Sequence, residues 1–340
     1  MNFRERFLQH LIRSEFFKPG ETVFVACSGG PDSVALYFLL KDLSSELKIK
    51  LGLIHFNHRL RGKNSDRDAV FVEKLARKNK TLFIEGRAAQ EYNPKSKLSL
   101  EEWARAQRYT FFQDAAKKRS FKKILTAHTL DDQAETVLMR LMQGTGSQGL
   151  LGIRKKMKMG SLTFLRPLLE FSKKELLNFL KENKTSFCKD ASNDSPRFLR
   201  NRIRRSLLPH LEKEYNPRIR ETLARLPQIL EEETAVLQNL KDKAWDDCFH
   251  KKAAKKIQIR RTRFLKLPGY LKFGVLDRAL KMLNPQSGMS FDSWQRVKIG
   301  LDKPVYRQSL PKDLDFELTS SAVLIYRKSR LPQNALAKTG

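Results

Sequence analysis

Six consecutive residues, Ser28-Gly29-Gly30-Pro31-Asp32-Ser33, bring together the side-chain types that phosphate chemistry needs. Glycines let backbone N–H groups approach an anion closely, serines add hydroxyl donors, and one aspartate can bring a metal ion. The stretch contains no lysine. Neither Gly-Lys-Ser/Thr nor G-x-G-x-x-G is spelled here, so the triphosphatase P-loop and the dinucleotide fingerprint are both excluded. A Ser/Gly loop without lysine suits a compact, Mg-bound pyrophosphate. The competing reading is an ordinary Gly-rich turn between two elements.

The flanking residues must position this loop. Residues 22–27 form an apolar, β-branched run that reads as a buried strand, and Val34, Ala35, Leu36, Phe38 and Leu39 follow at helical spacing. Strand, Gly-rich turn and helix aim N–H groups and a positive helix end at an anion. The alternation continues, with strands expected at 50–56, 81–84 and 124–127. Helices are expected at 66–78, at 99–118 (opened by the capping pattern Ser99-x-x-Glu102) and at 131–142. This pattern predicts an α/β fold, a doubly wound parallel sheet of Rossmann-like form, with ligands at the carboxyl ends of the strands. The 28–33 loop, His55-Phe56-Asn57-His58 and Ala127-His128 all fall at such ends. Phe7, Leu8, Leu11 and Ile12 predict a docked first helix, and the N-terminal residues alternate charge with apolar groups, unlike a secretory signal.

A domain boundary is expected near Tyr215-Asn216-Pro217, giving a catalytic domain over 1–217 and a basic, helix-rich domain over 218–340. The second should be a smaller α+β unit: a helix over 218–247 broken or kinked at Pro227, a strand at 256–259, a helix at 270–283 and alternating segments at 315–326.

Other clusters carry chemistry with open alternatives. His55 and His58 are either satisfied structural histidines or, with Arg61, the border of a ligand site. Arg105 and Arg108, three apart on one helical face, are either a solvated stripe or a pair that neutralises phosphate. Asp132 and Glu135 share a face after His128. Beyond complementing a helix dipole, they could hold an ammonium ion or Mg²⁺. Residues 144–149 are a Gly-rich helix stop or a lid. Arg197, Arg200, Arg202, Arg204 and Arg205, interleaved with Phe198, Leu199 and Ile203, form the densest basic cluster and suit RNA phosphates.

The formal net charge is +30, from 67 Lys and Arg against 37 Asp and Glu. A polyanionic partner accounts for such an excess, because clustered cations release counterions from nucleic acid. The last ninety residues hold 20 basic against 6 acidic side chains and belong to that footprint. Three cysteines, Cys27, Cys188 and Cys248, stand far apart with no C-x-x-C pair, which fits a reducing, cytoplasmic compartment and gives no metal or disulfide spacing. No apolar run is long enough to span a membrane.

The hexad resembles the loop of the PP-loop ATP pyrophosphatases, which grip the β,γ-phosphates of ATP while a substrate carbonyl oxygen attacks the α-phosphate. With H-F-N-H-x-L-R, A-R-x-x-R-Y, A-H-x-x-D-D-Q-x-E-T, R-P-L-L and D-x-S-N…R-N-R-I-R following in order, residues 23–217 resemble, within that class, the bacterial tRNA(Ile)-lysidine synthetase family. The resemblance implies ATP and Mg²⁺ as cofactors, with L-lysine and a tRNA(Ile) bearing a CAU anticodon as partners. The wobble cytidine would be adenylated at its C2 oxygen, then attacked by the lysine amine, giving lysidine, AMP and pyrophosphate and changing decoding from AUG to AUA. On this chain it implies Ser28, Gly29, Gly30, Pro31, Asp32 and Ser33 on the nucleotide and Asp32 on Mg²⁺. It places Arg105, Arg108 and His128 on the adenylate and Asp132 and Glu135 on lysine. The longest members carry a further domain for which this length leaves no room. Dimerisation is left open, with a homodimer allowed. A PP-loop tRNA thiolase and a non-catalytic basic RNA-binding protein are the alternatives.

Overall fold

The computed structural model of the chain describes residues 1–60, 62–89, 92–95, 98–188 and 199–328. The chain divides into two units, Met1–Glu231 and Glu232–Gly340. The division expected near residue 217 thus falls later by contacts, inside a long helix.

The first unit is built on a sheet of β1 (Thr22–Ala26), β2 (Lys50–Asn57), β3 (Leu82–Arg87), β4 (Lys123–Leu125), β5 (Lys156–Met159) and β6 (Leu162–Leu165). The order is β3-β2-β1-β4-β6-β5, and every pairing is parallel except the β5–β6 hairpin at one edge. The expected strands are all present. The hairpin went unpredicted, although Gly160 at φ +60° supplies the turn it needs.

Alternation along the strands feeds two cores. Val23 and Val25 of β1, Leu53 of β2 and Leu125 of β4 pack with α1 (Phe3–Arg13), α2 (Pro31–Leu43) and α3 (Lys63–Lys78). Their neighbours Phe24, Ile54 and Ile124 face the opposite side, against Tyr109, Phe112, Ala115 and Ala116 of α4 (Leu100–Arg119). Helices therefore cover both faces, as a parallel sheet requires. The Ser99/Glu102 capping box that opens α4 forms as expected. α5 (Leu130–Gln143) ends at Gly144, whose φ of +71° stops the helix, before the short α6 (Ser147–Leu150). α7 (Lys173–Glu182) opens on a capping box between Ser172 and Glu175.

Gly52 sits where a Cβ would lie 2.4 Å from the Phe24 ring. Gly52→Ala is expected to destabilise the protein by about 1–3 kcal/mol through overpacking, read as a lower urea midpoint. An unchanged midpoint would show that the Phe24 ring can give way.

Beyond residue 198, α8 (Leu199–Arg202) passes through a π-helical turn (Ile203–Leu207) into α9 (Leu208–Glu214) and then α10 (Ile219–Cys248). α10 continues through Pro227, where the sequence leads one to expect a break or a kink, so the helix is not broken there. The second unit holds a five-stranded antiparallel sheet of β7 (Phe249–Ala253), β8 (Lys256–Arg260), β9 (Tyr306–Leu310), β10 (Leu314–Leu318) and β11 (Ala322–Arg327). Its order is β7-β8-β11-β10-β9. α11 (Arg261–Lys266), α12 (Gly269–Leu283) and α13 (Phe291–Ile299) complete this unit, whose core includes Trp245, Phe264, Leu276, Phe316 and Ile325.

Candidate active site

β1 and β4 are neighbours, while the chain leaves β1 towards β2 and β3 on the other side. This reversal opens a crevice at their carboxyl ends, where such sheets bind ligands. The crevice is a cavity of about 610 Å³, lined by Ser28, Gly30, Pro31, Asp32 and Ser33 after β1 and by Thr126, Ala127 and His128 after β4. Arg108, Lys173, Cys188 and Arg204 are also on its wall. A second lobe of about 460 Å³ shares Ala26, Ser28, Asp68, Arg108 and Phe112 with the first and reaches His55, Asn57 and His58.

Ser33 holds the loop in shape. Its hydroxyl donates to the Gly30 carbonyl at 3.0 Å and accepts from the Ser28 N–H at 3.2 Å. The Ser28 hydroxyl in turn accepts from the Gly30 N–H at 3.3 Å. Gly29 adopts φ +88°, and its carbonyl accepts from the Cys188 N–H at 2.9 Å. A Cβ on Gly29 would lie 3.3 Å from Cys188 Sγ, so this position needs glycine on both counts. No side chain caps α2 at Gly30, which leaves its first N–H groups and its dipole to an anion. These features fit a phosphate group.

Asp32 stands in the first turn of α2, with its side chain 26% exposed. Burial pushes its carboxyl up to about 6, against the nearby Lys173 ammonium, and Asp132 and Asp131 add to the rise. A carboxylate so short of counter-charge fits a cation. Among the described residues no cluster of three or more His, Cys, Asp or Glu could hold a metal alone, so Mg²⁺ would share Asp32 with phosphate oxygens.

Arg108 lines both lobes. Its guanidinium lies 5.8 Å from the Tyr109 ring centroid, and burial lowers its pKa. Arg105 does not join it. It is exposed, with its guanidinium 4.8 Å from the Tyr109 ring centroid, and lies outside the cavity lining. His128 is in the cavity, but burial holds its pKa down at about 4, with Arg166, Arg200 and Arg108 adding repulsion and Asp132 opposing them. Without a bound anion this favours the uncharged imidazole, which can act by hydrogen bonding. Its Nδ1 is 3.0 Å from the Thr126 hydroxyl. His55 is buried on the second lobe, and its Nδ1 lies 2.8 Å from the Cys27 carbonyl oxygen.

The carboxylates expected to receive lysine are already engaged. Glu135 is fully buried between Arg200, whose Nε donates to Oε2 at 2.9 Å, and Arg204, whose Nε donates to Oε1 at 2.6 Å. Asp132 Oδ1 accepts from Lys173 Nζ at 3.2 Å, with Arg204 and Arg200 at 3.4 and 3.5 Å. Its Oδ2 accepts from the Thr129 N–H and hydroxyl. Burial works against the Asp132 charge, yet these cations and hydrogen bonds hold its carboxyl far below the usual range. Arg220 continues the network, bridging Asp131 at 3.1 Å and Glu212 at 2.7 Å.

Two of the arginines expected on RNA therefore face protein carboxylates instead: Arg200 and Arg204 answer charge buried 65 and 69 residues earlier. Arg202 and Arg205 are exposed, while Arg61, Asp190, Ser192, Asn193 and Arg197 lie outside the described residues. Sequence reasoning missed Lys173. Its only local signal was the capping box that starts α7 beside it.

A family profile described as a PP-loop domain matches residues 2–211. A tRNA(Ile)-lysidine synthase of Geobacter sulfurreducens is 40% identical over 229 residues, covering 67% of this chain and 48% of that protein. One from Symbiobacterium thermophilum is 37% identical, covering 73% and 52%. One from Chlorobaculum tepidum is 35% identical, covering 66% and 67%. The chain spans about half the length of the first two. A solved structure, the U34-tRNA thiolase NcsA from Methanococcus maripaludis with its [4Fe-4S] cluster, is 18% identical with a TM-score of 0.55. It covers 67% of this chain and 80% of its own, a likeness of fold.

Proposed function

The chain belongs to the PP-loop family, and from that premise we propose that it is an ATP-dependent carbon–nitrogen ligase that joins L-lysine to C2 of a wobble cytidine in tRNA(Ile). The observation that carries this reading is the cavity between β1 and β4. The uncapped α2 N-terminus, Asp32, Arg108 and His128 meet there, in a chain of which 67% aligns with a lysidine synthase.

A cytosine C2 oxygen is a poor leaving group and must be activated. In the first step that oxygen attacks the α-phosphorus of ATP. The bond to the β-phosphate oxygen breaks, and its electron pair leaves with pyrophosphate. In the second step the lysine amine attacks C2 and loses a proton, and the C2–O bond breaks with its electron pair leaving on AMP. The loop N–H groups and the α2 dipole would bind the outer phosphates. Asp32 would hold Mg²⁺, which when bound would offset phosphate charge. Arg108 would meet the negative charge that grows at the α-phosphate, and His128 would hold an oxygen there by hydrogen bonding. The cytosine must leave the anticodon stack to reach the crevice.

The basic second unit and the exposed Arg202 and Arg205 support tRNA as the partner and hence a cytoplasmic setting. Among the described residues no helix is long and apolar enough to cross a membrane. Three dispersed cysteines favour ligation over sulfur transfer, which uses paired or cluster-bound thiolates.

Paired incubations test the reading. With ATP, Mg²⁺ and a CAU-anticodon tRNA, labelled lysine is expected to enter the tRNA and labelled sulfur is not. Sulfur incorporation without lysine would overturn it.

A further inference from the structure

The loop at 28–33 lacks the lysine that a P-loop aims at its outer phosphates, yet the cavity has one from elsewhere. Lys173 begins α7, 140 residues after Ser33 (173 − 33). Its ammonium lies 3.2 Å from Asp132 Oδ1 and 3.9 Å from Asp32 Oδ2, beside the first turn of α2. It lines the cavity together with the loop.

The two ends of this residue are held very differently. The Lys173 backbone N–H donates to Asp131 Oδ2 at 2.8 Å, and the adjacent Ser172/Glu175 capping box fixes the helix start. The side chain is 27% exposed, and its four-carbon stem lets a point charge travel. Lys173 is the nearest cation to Asp132, but it is not the sole partner of that carboxylate. Were the ammonium to leave, the Thr129 N–H and hydroxyl would still hold Oδ2, and the arginines at 3.4–3.5 Å would remain near Oδ1. One hydrogen-bonding position on Oδ1, now held by a residue of the cavity lining, would be vacated.

We propose that Lys173 is the phosphate-directed cation of this site, moving from Asp132 to the pyrophosphate end of bound ATP and so uncovering Asp132 for the ammonium of the incoming lysine. The proposal rests on the lysine-ligase reading above. It restores a role for Asp132 that the observed ion pairs otherwise block. It also orders the substrates: nucleotide binding creates the lysine site. Glu135, with both oxygens taken by arginines, stays an anchor throughout.

Equilibrium dialysis tests this with labelled lysine, Mg²⁺ and the α,β-methylene analogue of ATP, which cannot release pyrophosphate. In the wild-type protein the analogue is expected to tighten lysine binding about tenfold, within the usual range of coupling between sites. In Lys173→Met, lysine should bind equally well with and without the analogue, and the analogue itself should bind more weakly while AMP binding is unchanged. Lys173→Arg, which keeps the cation, should keep the coupling, and thermal melting would confirm that both variants fold. Wild-type lysine affinity indifferent to the analogue would overturn the proposal, as would coupling that persists in Lys173→Met. Failure of labelled lysine to bind under any condition would overturn the ligase reading itself, and the proposal with it. A purely structural Lys173–Asp132 pair would change melting but not make lysine binding depend on nucleotide.

Discussion

Asp32→Ala is expected to cut AMP and pyrophosphate release by at least about a hundredfold, while tRNA binding largely survives and the fold becomes more stable. The loss follows from removing the carboxylate best placed to bring Mg²⁺ to the phosphates. The gain follows from its strained ionisation. With its folded pKa raised from 3.8 to about 6, the carboxylate is penalised in the native state wherever it is ionised. At pH 7 that penalty is nearly complete, so its removal should add about 1–3 kcal/mol. The advantage should shrink as pH falls through 6 and disappear below 3.8, where both states are protonated. Urea unfolding at pH 7 and pH 3.5, beside a pyrophosphate release assay, would check both halves. Full turnover in the variant would sink the PP-loop mechanism, and an equal midpoint at pH 7 would show that Asp32 is better solvated than its surroundings imply.

Glu135→Ala is expected to have the opposite character, costing about 1–3 kcal/mol of stability because it removes the fully buried one of the two carboxylates that Arg200 and Arg204 share and leaves them only Asp132. The loss should appear as a lower urea midpoint at neutral pH. Activity of the surviving folded fraction should also fall, since Arg204 is part of the cavity wall. Glu135→Gln keeps the shape and one oxygen, so it should recover part of the stability. Wild-type stability in Glu135→Ala would show that water replaces the carboxylate without cost. Asp132 contributes in the same direction. Its depressed carboxyl adds stability that is complete above its unfolded value of 3.8 and is lost as pH falls below it.

What the sequence revealed, and what it hid, has a physical division. The loop, the strand ends and the Ser99/Glu102 box are local: each is written in residues a few positions apart, and each formed. The acids at 131–135 and the arginines at 200–205 were visible as charges but assigned to external partners. Nothing in their spacing says that one group answers the other across more than sixty residues. Lys173 was hidden by abundance, since one cation among 67 carries no signal until a carboxylate is found beside it. His128 was legible in position but not in charge, because its protonation depends first on burial and then on charges brought by other elements. The β5–β6 hairpin was missed because strict βα alternation leaves no place for an antiparallel edge.

The division of β1 between two cores also says where the chain can change length. Val23 and Val25 answer to one layer of helices and Phe24 to the other, so an added or deleted residue inside β1 would exchange the layers and turn the 28–33 loop away from the crevice. The turn at Gly160 and Ser161 joins an edge hairpin whose outer strand, β5, pairs on one side only. Extra residues there would project from the rim without disturbing either layer. The catalytic end of the sheet is thus fixed in length, and this opposite edge is where the first unit has freedom to acquire new segments.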